Sequence, residues 1–490
     1  MSIIRKSGSP NQLAPSLQNL TRTKVVATVG PASQDVELLT ELIQSGVDLF
    51  RLNMAHGDET GNGVYIQKIR VAEQRTGLPV AILVDLAGPK IRLGQLHTDP
   101  FHFERGSQAE FVRGHESRHE RQLTCTYSRL LDEVATGDQI VLSDGLVRLA
   151  VVSNDGERVQ CEVLDGGVLR SRQGVNLPGV NLSVPALGPA DRKHAVWAIR
   201  NQIDYLSLSF VRNADEIEDL KALIREHQGT CHVIAKIEKR EAFDNLDAIV
   251  RSADGIMVAR GDLGVEIRIE KTPVAQKQII QTCQEFGKPV IVATQMLESM
   301  HQNRQPTRAE ANDVANAILD GADACMLSGE TAIGEYPVDA AVMMQRIMRE
   351  TETLVEGMPS QVVGNEVMSR YGVTEAIVYG AAQVAKRVKA KLVVIATATG
   401  EAALVKAKQR DFIPTIALTD SPVALRRMNL YWGITPWFCD NLMQDLSIAD
   451  LVNEWSKSEE FLTSGDLVVF VLDNQHWAGV NESIVVARID

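Results

Sequence analysis

Lys236 and Glu238 stand two residues apart at the end of the apolar run Ile234–Glu238, IAKIE. Side chains alternate faces along a strand, so this ammonium and carboxylate project to the same side. In parallel α/β proteins ligand sites form at the C-terminal ends of strands, where such a pair suits catalysis. Taken alone, it serves a scaffold as readily as chemistry. Six other apolar runs end in the same way. FRLNMAHG gives Arg51 and Asn53 on one face, then His56, and VDLAGPKIRLG gives Asp85, Lys90 and Arg92. The remaining four give Ser209; Arg260, Gly261 and Asp262 in MVARGDLG; Thr294 in ATQMLESM; and Ser328 with Glu330 in LSGET. Seven consecutive endings of this kind are poorly explained by packing alone.

Residue types define the chemistry. Glu238 and Asp262 could give two oxygen ligands to Mg2+ (or Mn2+), a hard cation that takes few protein carboxylates and leaves positions for substrate oxygens. Arg51 offers planar, multi-donor contacts to a phosphoryl group. Backbone N–H groups at Gly261 and Asp262, in the turn after the sixth run, could hold a carboxylate or phosphate. Lys236 suits charge that develops on an enolate or a phosphoryl group in transit. The class implied is magnesium-assisted chemistry on a small phosphorylated or carboxylated anion. Other features read blandly. His56 by itself is a structural hydrogen-bonder, and Met296, Met300, Met343 and Met344 are packing residues. Lys386, Arg387 and Lys389 form a solvated helix face, and neither a Walker A loop nor a convincing GxGxxG occurs.

The elements that position these groups are eight short, nearly continuous apolar runs, as expected of strands buried on both faces. They are Lys24–Val29, Val47–Asn53, Val80–Leu86, Asp204–Phe210, His232–Glu238, Gly255–Ala259, Pro289–Thr294 and Asp323–Ser328. Helical spacing falls between most of them, at Gln34–Ser45, Asp191–Asn201, Ala214–Glu226, Thr272–Glu285 and Arg308–Asp320. The last opens on a Thr307-x-x-Glu310 capping box and stops at Gly321. Eight β/α units predict a (β/α)8 TIM barrel, with a doubly wound sheet as the chief competitor.

Barrel residues are expected at 21–93 and 186–356. Between them, residues 94–185 change texture to alternating runs broken by Asp144-Gly145, Asp155-Gly156 and Gly166-Gly167. That pattern predicts a small inserted β domain, placed by its βα-loop position as a lid over the site. Residues 357–490 resume a βα rhythm as a C-terminal open-sheet α/β domain. Its expected elements are a helix over Thr374–Ala390 and strands at Leu392–Ala396, Phe412–Leu418, Leu467–Leu472 and Ser483–Arg488. Residues 1–20 read as a flexible leader.

Net charge is −13, which argues against nucleic-acid or anionic-membrane partners and confines phosphate binding to a local basic pocket. The six cysteines lack a CxxC pair, consistent with reduced structural thiols in the cytoplasm. No signal-peptide core or bilayer-length apolar stretch occurs.

The stretches TKVVATVGPAS, FRLNMAHG, IAKIEKREA, DGIMVARGDLGVEI, KPVIVATQMLESM and PTRAEANDVANAILDGADACMLSGETAIGEYP resemble those of pyruvate kinases. The similarity runs from about Lys24 through the C-terminal domain and is strongest between Ile234 and Pro337. It implies a (β/α)8 barrel with an inserted β-barrel lid domain and a C-terminal α/β domain, and phosphoryl transfer from phosphoenolpyruvate to ADP, giving pyruvate and ATP, in a homotetramer. By matching positions it implies that Arg51 contacts the phosphoryl group and Lys236 stabilises the transition state and enolate. Glu238 and Asp262 would ligate Mg2+, while Gly261 and Thr294 hold the substrate carboxylate end, with Ser209 beside them. Thr294 would also organise enolate protonation. Asn53, His56 and Arg92 would face the nucleotide phosphates, with Asn53, Asp85 and Lys90 around the monovalent-cation position.

Departures from the family pattern carry information. Ala55 replaces a common Ser, Leu86-Ala87 a Thr-Lys, and Ala190 a nucleotide-contacting Lys. Lys90 stands where potassium-dependent members carry Glu, so a covalent ammonium substitutes for the cation and repels it. The expectation is activity without K+. In the segment matching the family's effector turn, Thr397–Ala403, Glu401 and Ala402 disfavour phosphate, so weak or no activation by a sugar bisphosphate is expected. Two rivals are a barrel lyase or aldolase using the same enolate chemistry, and a non-catalytic metabolite binder. The lid and the nucleotide-facing cations argue against the first. Retention of Arg51, Lys236, Glu238, Asp262 and Thr294 argues against both.

Overall fold

Eight parallel strands close on themselves in sequence order: Lys24–Thr28, Leu49–Asn53, Ala81–Asp85, Tyr205–Leu208, His232–Ile237, Gly255–Ala259, Val290–Ala293 and Ala324–Leu327. Closure excludes the doubly wound alternative, because the first strand pairs with the eighth, Lys24 opposite Ala324. This computed structural model describes residues 21–143, 145–180, 182–356, 365–440, 448–459, 461–473 and 482–489. The expected leader over 1–20 and Asp144 of the expected turn lie outside them. Helices Ala214–Glu226, Thr272–Glu285 and Arg308–Asp320 match the sequence spacing, and Thr307 and Glu310 form the reciprocal cap.

Several barrel strands are shorter than the apolar runs, and the trimmed residues have another task. An aspartate immediately precedes the second, fourth, sixth and eighth strands: Asp48, Asp204, Asp254 and Asp323. Each Oδ2 accepts a backbone N–H from the strand before it, Val25 at 2.8 Å, Ile82 at 2.8 Å, Val233 at 2.9 Å and Val290 at 2.8 Å. Each also meets a cation. Lys24 lies 3.3 Å from Asp48, Lys221 2.8 Å from Asp254, Arg70 and Arg426 each 2.9 Å from Asp204, and Lys408 2.6 Å from Asp323. The four carboxylates thus stitch the strands in pairs at their N-terminal ends.

The C-terminal sheet runs in the order Ile434–Phe438, Thr415–Thr419, Leu392–Ala396, Leu467–Asp473, Glu482–Arg488, parallel except for its last strand. Two corrections apply. The strand expected from Phe412 begins at Thr415, because Phe412 instead packs edge-on against Trp432 at 5.3 Å between centroids. Ile434–Phe438 was not anticipated; its Pro436 is tolerated because the strand lies at the sheet edge. This domain covers the barrel's N-terminal mouth: Leu404, Met428, Leu430 and Trp432 share one core with Leu49, Ile234 and Met257 of the strands.

The insert builds its own core around Phe111, Leu149 and Val159. Its six-stranded sheet runs Val175–Asn176, Gln139–Leu142, Val147–Asn154, Arg158–Asp165, Gln108–Val112, Gln122–Leu123, beside a ribbon of Phe101–Phe103 and Gly167–Leu169.

Candidate active site

One cavity at the C-terminal end of the barrel collects side chains from most of its strands. Arg51, Asn53, Asp85, Lys90, Ser209, Lys236, Glu238, Asp262, Thr294 and Ser328 all line it. At its centre is Asp85. Arg51 reaches it through Nε at 2.9 Å and Nη2 at 2.5 Å, Ser207 Oγ donates at 2.6 Å, and Lys236 Nζ is 3.6 Å away. Burial opposes ionisation of Asp85, but Lys236 and Arg51 outweigh it and bring the carboxyl down to about 2. Asp85 therefore holds two cations in place as an anion, while Thr28 Oγ1 accepts from Arg51 at 3.1 Å.

Lys236 Nζ also donates to Ser209 Oγ at 2.7 Å and lies 3.2 Å from Glu238 Oε2. Its neighbours Asp85 and Glu238 overcome the desolvation that opposes its charge, leaving its pKa above the usual lysine value. Glu238 is different. Its Oε1 accepts the Phe210 N–H at 2.6 Å, whereas Oε2 is buried without a hydrogen-bond partner. Burial pushes this carboxyl up to about 7, with Asp262 adding repulsion and Lys236 only partly compensating.

An under-satisfied buried oxygen and a second carboxylate in the same cavity make a donor set suited to a hard divalent cation. Glu238 and Asp262 are the residues that would hold it.

Thr294 sits at φ +68°, a costly conformation for a β-branched residue. Arg260 holds it there. Its guanidinium donates to the Thr294 carbonyl at 2.6 Å and is anchored on Asp313 at 2.7 Å. Thr294 Oγ1 in turn accepts the Gly261 N–H at 2.9 Å. Gly261 differs from its expected place: it lies in the first turn of a helix, Arg260–Glu266, rather than an open turn. Its amide is taken by Thr294, so in this geometry it positions that hydroxyl and does not line the cavity.

The expected nucleotide residues spread outward. Asn53 lines the cavity and its Oδ1 caps the Ala55 N–H at 3.0 Å. His56 is exposed at the rim, and its pKa falls below the usual value through partial burial, then the charges of Lys90, Arg92 and Arg51. Arg92 belongs to a neighbouring cleft between barrel and insert, shared with Lys90, Asp262 and Arg212. Lys90 borders both spaces, and desolvation followed by repulsion from Lys236 lowers its pKa.

Sequence reasoning gave no role to Ser207, Phe210, Arg260 or Glu330. Glu330 accepts from Leu297 N at 3.0 Å and Ser328 N at 2.7 Å, tying the loops after the last two strands together. Arg260 and Glu330 were visible as charges at strand ends. Nothing local signalled Ser207, whose partner Asp85 is 122 residues away.

A family model described as the pyruvate kinase barrel domain matches residues 20–341, and one described as the pyruvate kinase alpha/beta domain matches residues 375–486. Among similar proteins, a pyruvate kinase of Geobacillus stearothermophilus is 40% identical, covering 91% of this chain and 77% of its own. One of Mycobacterium tuberculosis is 40% identical, covering 92% and 94%. A solved pyruvate kinase from Cryptosporidium parvum superposes with a TM-score of 0.88 at 33% identity, covering 97% of both chains.

Proposed function

The chain belongs to the pyruvate kinase family, and from that premise we propose how its own residues carry out Mg2+-assisted phosphoryl transfer between phosphoenolpyruvate and ADP. The observation that carries the reading is the convergence of Arg51, Lys236, Glu238, Asp262 and Thr294 on one cavity. Arg51, fixed by two bonds to Asp85, presents its remaining donors to the phosphoryl group. Lys236 keeps its proton and stabilises negative charge as it moves from the transferring group to the enolate oxygen. Glu238 and Asp262 would hold Mg2+ (or Mn2+), which would supply charge neutralisation for the substrate oxygens. Thr294, locked by Arg260, orients the hydroxyl or water that protonates the enolate carbon. Ser209 steadies Lys236, and Gly261 steadies Thr294. Asn53, His56 and Arg92 meet the nucleotide phosphates along the cleft beneath the insert.

Lys90 occupies the edge of this cavity beside Asn53 and Asp85 with its charge already present. The enzyme accordingly works without K+. In the C-terminal domain, the hydroxyls of Thr397 and Thr399 already accept backbone N–H groups of Gly400 and Glu401, at 3.0 and 3.3 Å. This supports weak or absent response to a sugar bisphosphate. Exposed apolar side chains, among them Ile269, Val274, Val373 and Val485, support assembly, read here as a homotetramer. No helix among the described residues is long and apolar enough to cross a membrane, and we place the enzyme in the cytoplasm. A coupled assay for pyruvate and ATP, with and without Mg2+, tests the reaction. No product from phosphoenolpyruvate and ADP with Mg2+ present would overturn it.

A further inference from the structure

The two carboxylates suited to a divalent cation stand on separate elements. Glu238 follows the strand His232–Ile237, whereas Asp262 lies in the first turn of the helix Arg260–Glu266. Like charges facing one cavity repel, so the protein itself must hold these elements together. The first turn of the helix is secured by bonds already described: Arg260 to Asp313 and the Thr294 carbonyl, and the Gly261 N–H to the Thr294 hydroxyl. An ion pair secures the last turn. Lys239, the residue after Glu238, donates through Nζ to Glu266 Oε1 at 2.5 Å, and the two side chains are only 6% and 3% exposed. Glu266 ends the helix, four residues beyond Asp262 and so one turn along the same face.

Stability alone gives little reason for this pair. Apolar side chains of similar volume often replace a buried ion pair without loss of stability. Apolar contact lacks direction, however, whereas a charge-assisted hydrogen bond fixes both distance and angle. Each partner is placed to pass that constraint on. Lys239 is bonded in sequence to Glu238, and Glu266 shares a short helix with Asp262.

We propose that Lys239 and Glu266 form a positioning pair, which sets the spacing of Glu238 and Asp262 before a cation arrives and thereby the affinity for it. The inference rests on the reading of those two carboxylates as the divalent-cation ligands. Neither Lys239 nor Glu266 touches the cation in this role; both act through their neighbours.

The experiment titrates Mn2+ into the full chain without substrates and reads the free ion by its electron paramagnetic resonance signal. The double variant Lys239→Met/Glu266→Met keeps the net charge and nearly the volume, so a weaker affinity reports lost positioning. It should bind Mn2+ at least about tenfold more weakly than the parent, the usual cost of losing a partner that orients a metal ligand. Glu266→Asp keeps both charges but shortens the tie, and should weaken binding by a smaller factor; it carries the test if the double variant does not fold. A pair that served only the scaffold would shift the urea midpoint and leave the affinity of the folded protein unchanged. Glu238→Gln separates the two readings. Parent-like binding by Glu238→Gln would overturn the ligand assignment and this inference with it. Loss of binding there, with parent-like affinity in the Lys239 and Glu266 variants, would overturn this inference alone.

Discussion

Lys408 Nζ lies 2.6 Å from Asp323 Oδ2, and both side chains are sealed from solvent. Lys408 belongs to the C-terminal domain and Asp323 to the start of the eighth barrel strand, so this ion pair joins two domains in the interior. Arg410 shares Asp323 at 3.0 Å, and the same carboxylate also receives the Val290 N–H at 2.8 Å.

Removing one partner of a buried pair strands the other charge, at a cost of about 3–5 kcal/mol. Lys408→Met should therefore lower unfolding stability by an amount near the bottom of that range, since Arg410 remains. Urea denaturation measures it. A loss under about 1 kcal/mol would show that Arg410 alone neutralises Asp323.

Lys236→Met removes the ammonium that Asp85, Ser209 and Glu238 share. Catalysis through transition-state charge predicts a fall in kcat of about 10²–10³-fold or more. Half-saturation by phosphoenolpyruvate should change much less, because Arg51 stays held by Asp85. A rise in half-saturation with kcat unchanged would assign Lys236 to ground-state binding.

Potassium provides a paired test. The parent should turn over equally fast in buffers with and without K+. Lys90→Glu should acquire activation by K+, because a carboxylate would then stand beside Asn53 and Asp85. Strong activation of the parent by K+ would contradict the role given to Lys90.

The metal requirement should depend on pH through Glu238, whose carboxyl titrates at about 7 because of burial. Below that pH the proton is retained and competes with the cation; above it the carboxylate is free to ligate. The half-saturating Mg2+ concentration should rise as pH falls through 7, approaching about tenfold per unit. A flat response between pH 6 and 8 would remove Glu238 from the ligand set.

The barrel was legible in the sequence because its strands are buried on both faces and read as unbroken apolar runs, seven of the eight with chemistry at one end. Arg51, Asp85, Lys236, Glu238 and Thr294 followed from that pattern. Gly261 did not. Glycines next to an aspartate suggest an open turn, but here the chain enters a helix and the amide turns to Thr294. Ile434–Phe438 was hidden by Pro436, whose missing N–H is harmless only at an edge that topology alone reveals. The aspartates at 48, 204, 254 and 323 sat inside or beside the apolar runs, and their shared task appears only when neighbouring strands are aligned.

Because the C-terminal domain packs beneath the strands, the cylinder is floored at its N-terminal end, and among the described residues the cavity opens at the other. Reactants and spent molecules then share the passage below the insert, one after another. A lingering product blocks the next arrival, so pyruvate should inhibit by competing with phosphoenolpyruvate.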